Sequence, residues 1–194
     1  MLCEICGIPL GFPGICGGCS SDKPSFRALR AWTVFDDPVR NALHKLKYRR
    51  DISLGEALSA QMSSFLGDLN WPVDVIVPIP LSWKRLKERG YNQVAMIALP
   101  LALSLKIDYE SRGLIRQKET RSQVGLTRVE RKENVRGAFS ASSHVYGRTV
   151  LLVDDVSTTG STLSSASDAL LESGARSVYA LTVARALPHQ MQQA

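Results

Sequence analysis

"VLLVDDVSTTGST", residues 150–162, sets a short apolar run against two adjacent carboxylates, Asp154 and Asp155, and then a hydroxyl-rich turn. Residues 149–153 are β-branched and leucine-rich but too few for a helix, so they read as a strand. Leu163, Ala166 and Leu170 then share one helical face from about 161 to 173, Gly174 supplies a glycine stop, and "SVYALTVA" (177–184) is the next strand. Strand, turn, helix, strand is the unit that crosses right-handed between parallel neighbours. Ligands of such sheets lie at the carboxyl ends of the strands, where residues 154–162 fall.

The turn "STTGST" (157–162) leads into a helix N-terminus. Unpaired backbone N–H groups and the positive end of the helix dipole there suit a phosphate monoester. Thr158, Thr159, Ser161 and Thr162 can add hydroxyl donors, and Gly160 lets the backbone come close. The turn lacks the Gly-Lys-Ser/Thr ending of a Walker loop and has one glycine where a dinucleotide loop has three. Asp154 and Asp155 would repel that same phosphate, so they suit a neutral or cationic group beside it. Two vicinal sugar hydroxyls qualify, as does a positive charge developing on the sugar ring. A ribose 5-phosphate meets both halves of the motif. A Mg²⁺ or phosphoacceptor site and a simple helix cap are competing readings of the same residues.

The chain's 194 residues, 44% of them hydrophobic, are enough for one core of ordinary size with a small appended module. No run approaches the ~18 apolar residues of a membrane span. The start "MLCEICGIPLG" lacks the basic opening and apolar core of a signal peptide, so a cytoplasmic location is expected. Cys3, Cys6, Cys16 and Cys19 form a C-x2-C, nine-residue, C-x2-C arrangement that predicts one tetrahedral Zn²⁺. Two disulfides or two redox pairs are the alternatives. Four protein ligands close such a site, which makes it structural rather than catalytic.

Charge is uneven along the chain. Residues 82–136 carry thirteen Lys or Arg against six Asp or Glu, while 1–81 balance at eight each and 137–194 carry three against four. The middle segment is therefore expected to face something anionic, a phosphorylated small molecule or nucleic acid, with a merely solvated basic face as the alternative. Within it, 107–136 are polar and poor in apolar periodicity, which reads as a partly mobile excursion from the core. Strands are expected within 26–35 and 73–80, the second closed by Pro78 and Pro80. Helices are expected over 38–48, across Leu54 to Leu66, and over 92–106, where Pro100 should kink or split the last.

Together with the tetracysteine start, "KYRRD" (47–51), "PIPLSWKRLKERGYNQ" (78–93), "RQKETRSQVGLTRVERKENVRGAF" (116–139) and the phosphate motif resemble the ComF (GntX-like) family of type I phosphoribosyltransferase-like proteins. The resemblance covers nearly the full chain. It implies an α/β fold, an open mostly parallel sheet with helices on both faces, with a four-cysteine zinc module at 1–24. The phosphoribosyltransferase-like domain would span 25–190 and carry a basic mobile hood at about 107–136. By position, Asp154 and Asp155 would take the ribose hydroxyls, and Ser157, Thr158, Thr159, Gly160, Ser161 and Thr162 the 5-phosphate. Pro80, Leu81 and Ser82 would form the pyrophosphate loop, with Lys84 and Arg85 nearby. Arg116, Thr120, Gln123, Arg128, Arg131 and Asn134 of the hood would meet pyrophosphate or the second substrate.

The implied reaction is displacement of pyrophosphate from phosphoribosyl pyrophosphate, with Mg²⁺, by an unidentified acceptor. The resemblance also links the chain to natural transformation. The alternative it leaves is a non-catalytic module that binds phosphoribosyl pyrophosphate and single-stranded DNA, or a competence helicase or other DNA-processing protein.

Overall fold

A computed structural model describes residues 1–118, 130 and 137–187. Five parallel strands form the main sheet: β1 (Ala28–Val34), β2 (Val75–Pro78), β3 (Asp108–Tyr109), β6 (Thr149–Ser157) and β7 (Ser177–Arg185), in the order β1-β7-β6-β2-β3. A two-stranded antiparallel pair, β4 (Leu114–Arg116) with β5 (Phe139–Ala141), stands apart from it. β6 and β2 are apolar throughout their paired lengths, as strands covered on both faces must be.

The two faces are covered differently. Leu151 and Val153 of β6 pack with α3 (Ser53–Leu69) and α5 (Gln93–Leu105), along with Leu43 and Leu46 of α2 (Val39–Tyr48). Val150 and Leu152 face the other way, toward α6 (Ser161–Glu172), the β4–β5 pair and the cysteine segment. Cys3, Ile5, Cys6 and Cys19, the last on the short helix α1 (Gly17–Ser21), share a core with the sheet. Among the described residues no helix is long and apolar enough to cross a membrane.

Pro100 does not split α5, which runs without a break from Gln93 to Leu105. Ile97, Ala98, Leu101 and Ala102 are buried on both sides of the proline, so packing keeps the helix continuous through it. The missing proline N–H deprives the Met96 carbonyl of its usual intrahelical donor, and α3 meets that carbonyl at a glycine. A Cβ on Gly55 would lie 2.5 Å from the Met96 oxygen and 2.9 Å from its carbon. Gly55→Ala should therefore destabilise the protein by about 2 kcal/mol through overpacking, although alanine is the better helix former. Urea melts of the two proteins check this, and an unchanged midpoint would refute it.

Residues 107–118 also depart from the expected excursion. Asp108 and Tyr109 pair with Val75 and Ile76, and Leu114 is buried. Strands of two and three residues are too short to leave a periodic signal. Thr120, Gln123, Arg128, Arg131 and Asn134 lie outside the described residues.

Candidate functional site

β2 ends beside β6, which runs on to Ser157. Pro78 pairs with Val153, and the Ile79 N–H donates to the Val153 carbonyl at 2.9 Å, so residues 80–82 leave the sheet beside Asp154. The Ser82 hydroxyl caps helix α4 (Trp83–Arg89) by accepting from the Arg85 N–H. Lys84 and Arg85 occupy the first turn of α4, both exposed.

On the other side of β6, Asp154, Ser157, Thr158, Gly160, Ser161 and Thr162 line a pocket at the N-terminus of α6. Ser157 is 3% exposed, and its hydroxyl has no hydrogen-bond partner. A buried hydroxyl beside a helix N-terminus lacks only an acceptor, which a phosphate oxygen would supply. Thr159 turns aside, its hydroxyl 2.7 Å from that of Ser161. Gly160 meets a backbone requirement. Its φ is +80°, and a Cβ there would point at Phe26 and Leu29, inside the protein.

The adjacent carboxylates diverge, because successive strand residues point to opposite faces. Asp154 lies on the α6 side, lining the turn pocket, and its Oδ1 accepts from the Asp155 N–H at 2.8 Å. Burial, and then the negative charge of Asp155, push the Asp154 carboxyl up to about 7, while Arg116 on β4 draws it partly back. Arg116 itself lies over the Phe139 ring at 5.6 Å.

Asp155 points to the α2 and α5 side, where Oδ2 receives Lys47 Nζ at 2.7 Å and Gln93 Nε2 at 3.0 Å. Burial alone would raise its carboxyl, but the Lys47 ammonium and these hydrogen bonds hold it below the usual carboxylate range. Lys47 lies in the last turn of α2 and Gln93 begins α5. Both fall in the stretches quoted for the family resemblance, yet nothing in their spacing shows that they meet Asp155.

The four cysteines converge as expected. Their sulfurs all lie within 4.8 Å of one another, and Cys6 and Cys16 are 3.7 Å apart. Tetrahedral Zn–S bonds of about 2.3 Å would place sulfurs about 3.8 Å apart, so the donor set fits a structural zinc. None of the four is in a disulfide. Burial raises the Cys6 and Cys19 thiols. At Cys3 it is outweighed by N–H groups of Cys16, Cys6 and Ile5, which hold that thiol at about 6. The cluster is pinned to the sheet by Leu29 N–H to the Ile5 carbonyl, by Arg30 to the Cys3 and Glu4 carbonyls, and by the buried Arg185 to the Cys6 carbonyl.

Residues 60–192 match the phosphoribosyl transferase domain family. The chain is 33% identical over 193 residues to the DNA utilization protein YhgH of Salmonella typhi, covering 96% of this chain and 85% of that protein. It is 30% identical to competence protein F of Haemophilus influenzae, over 95% of this chain and 84% of that protein. Competence protein ComFC of Bacillus subtilis is also 30% identical, over 95% and 78%. With a parallel sheet, a pocketed turn after Asp155 and four convergent cysteines, the chain belongs to the phosphoribosyltransferase-domain family of ComF type.

Proposed function

We propose that the protein binds phosphoribosyl pyrophosphate and displaces its pyrophosphate with a nucleophilic acceptor. The observation that carries this reading is the partnerless, buried Ser157 hydroxyl in the turn pocket at the start of α6, which Asp154 also lines. The turn takes the 5-phosphate. Asp154 lies on the sugar side, where its carboxylate favours the positive charge that gathers on the ring as the bond from carbon 1 to pyrophosphate breaks. The electron pair leaves with pyrophosphate, and the acceptor bonds to carbon 1. Residues 80–82, Lys84 and Arg85 stand on the pyrophosphate side. Mg²⁺, when bound with the substrate, offsets the charge of the pyrophosphate. The four cysteines hold a structural zinc.

The test is pyrophosphate release from phosphoribosyl pyrophosphate and Mg²⁺ with nucleobases and amines as acceptors. Release is expected to rise as the pH passes about 7, where Asp154 ionises. It should fall by about 100-fold in Asp154→Asn, the loss typical of one well-placed electrostatic group. No release with any acceptor would sink the enzyme reading.

The names of the relatives favour a second reading, in which the same site serves a non-catalytic module in DNA uptake. It would act on single-stranded DNA or with a competence helicase. That reading expects salt-sensitive DNA binding that survives Asp154→Asn, without pyrophosphate release.

A further inference from the structure

Four thiolates around one Zn²⁺ leave a net double negative charge, and such a centre in a protein interior needs cations beside it. Two guanidiniums meet the cysteine segment. Arg185, only 7% exposed, donates to the Cys6 carbonyl, and the half-buried Arg30 donates to the carbonyls of Cys3 at 3.4 Å and Glu4 at 3.1 Å. Among the described residues neither has a carboxylate at ion-pair distance, so their two positive charges answer the double negative charge of the metal centre. Arg185 also belongs to the phosphate turn. It is the register partner of Ser157 across β6 and β7, and the Ala186 N–H beside it donates to the Ser157 carbonyl at 3.0 Å. One residue thus joins the buried Ser157, through its backbone, to the cysteine cluster, through its guanidinium.

We propose that metal occupancy of the cysteine cluster sets the affinity of the turn for phosphate, with Arg185 as the joint: counter-ion of the zinc tetrathiolate and positioning residue for Ser157. The negative charge of the centre holds Arg185 in the interior and, with it, the end of β7 against Ser157. That charge is complete only while the metal keeps all four sulfurs as thiolates. Without the metal Arg185 retains a carbonyl but little counter-charge, and a buried cation so left is drawn toward water. The last pairing of β6 with β7 then loosens, and the Ser157 hydroxyl loses its fixed place. Linkage is reciprocal, so a phosphate in the turn tightens the metal by the same factor. The inference rests on the reading of the turn as a phosphate site and adds the regulation of that site by metal.

The experiment follows zinc transfer from the full-length, metal-loaded protein to a chromophoric chelator, with and without saturating ribose 5-phosphate, whose binding is titrated separately by calorimetry. Ribose 5-phosphate should slow zinc loss about fivefold in the parent. Arg185→Gln keeps a donor for the Cys6 carbonyl and loses the charge; Arg185→Met takes its place if it does not fold when loaded. The variant should lose zinc about tenfold faster, bind ribose 5-phosphate about fivefold more weakly, and show no protection at saturation. Arg185→Lys should stay within about threefold of the parent, since Arg185 meets Cys6 through one nitrogen rather than a fork. Arg30→Met should speed zinc loss as Arg185→Gln does but leave the protection in place, because Arg30 pairs with Leu181, away from the turn.

Ribose 5-phosphate that binds without slowing zinc loss in the parent would overturn the linkage and leave the proposed function standing. Protection that survives in Arg185→Gln would overturn it too, since any ligand that stabilises the fold protects the metal in that way. Absence of ribose 5-phosphate binding to the zinc-loaded parent rejects the reading of the turn instead. In that event faster zinc loss in Arg185→Gln and Arg30→Met still supports the counter-ion role, and unchanged loss in both overturns it.

Discussion

Lys47→Met is expected to cost about 3 kcal/mol of stability at pH 7, because it strands the buried Asp155 charge with no counter-ion, leaving Gln93 and the Val156 N–H to solvate it. The sign of the pH dependence follows from Asp155. Its folded carboxyl lies below the ordinary value, so the Lys47 pair contributes fully above the unfolded pKa of about 3.9 and is lost as pH falls through the lower folded value. Urea melts should thus show the full difference at pH 7 and a small one near pH 2. Lys47→Met with Asp155→Leu should recover most of the loss, since a pair removed whole leaves no orphan charge. A single-variant cost below about 1 kcal/mol, or one equal at both pH values, would mean that water reaches Asp155 freely.

The second large effect concerns the cysteines. Cys19→Ser should remove about 5 kcal/mol, or 10–20 °C in Tm, and chelation of the parent protein should do the same. The reason is that Cys3, Ile5, Cys6 and Cys19 are core residues of the sheet face that carries α6, so opening the cluster wets that face. Metal analysis with scanning calorimetry provides the check. Less than half an equivalent of zinc per chain, or a Tm indifferent to chelator, would count against a structural metal.

The sequence reading was strongest where local pattern and tertiary role agree. The runs at 149–153 and 177–184 became the two longest central strands, the glycine stop at Gly174 has φ +87°, and the 157–162 turn opens α6. It was misled at Pro100, where local chemistry argues for a break that burial of Ile97 and Leu101 overrules. It also grouped Asp154 with Asp155 because they are neighbours in the chain. The pleat sends them to opposite faces, and one is neutralised by a lysine more than a hundred residues away. Lys47 and Gln93 were invisible as partners for the same reason: a contact between α2, α5 and β6 leaves no spacing to read. The basic excess of 82–136 is also only part of the local charge: Lys47 and Arg50, from the balanced segment before it, line one cavity with Arg85 and Arg89.

The strand order carries a consequence for synthesis. β1 has a single neighbour in the sheet, and that neighbour is β7. The cysteine cluster hangs on the same pair, through Leu29 and Arg30 on one strand and Arg185 on the other. A nascent chain therefore emits four thiols and an unpaired strand at the outset and must hold both until β7 leaves the ribosome. Ser157 pairs with Arg185, so the turn pocket waits for the same event. A stalled or clipped chain lacking β7 would keep every residue of the turn and of the cysteine cluster, yet lack the strand that ties both to β1 and the sheet edge.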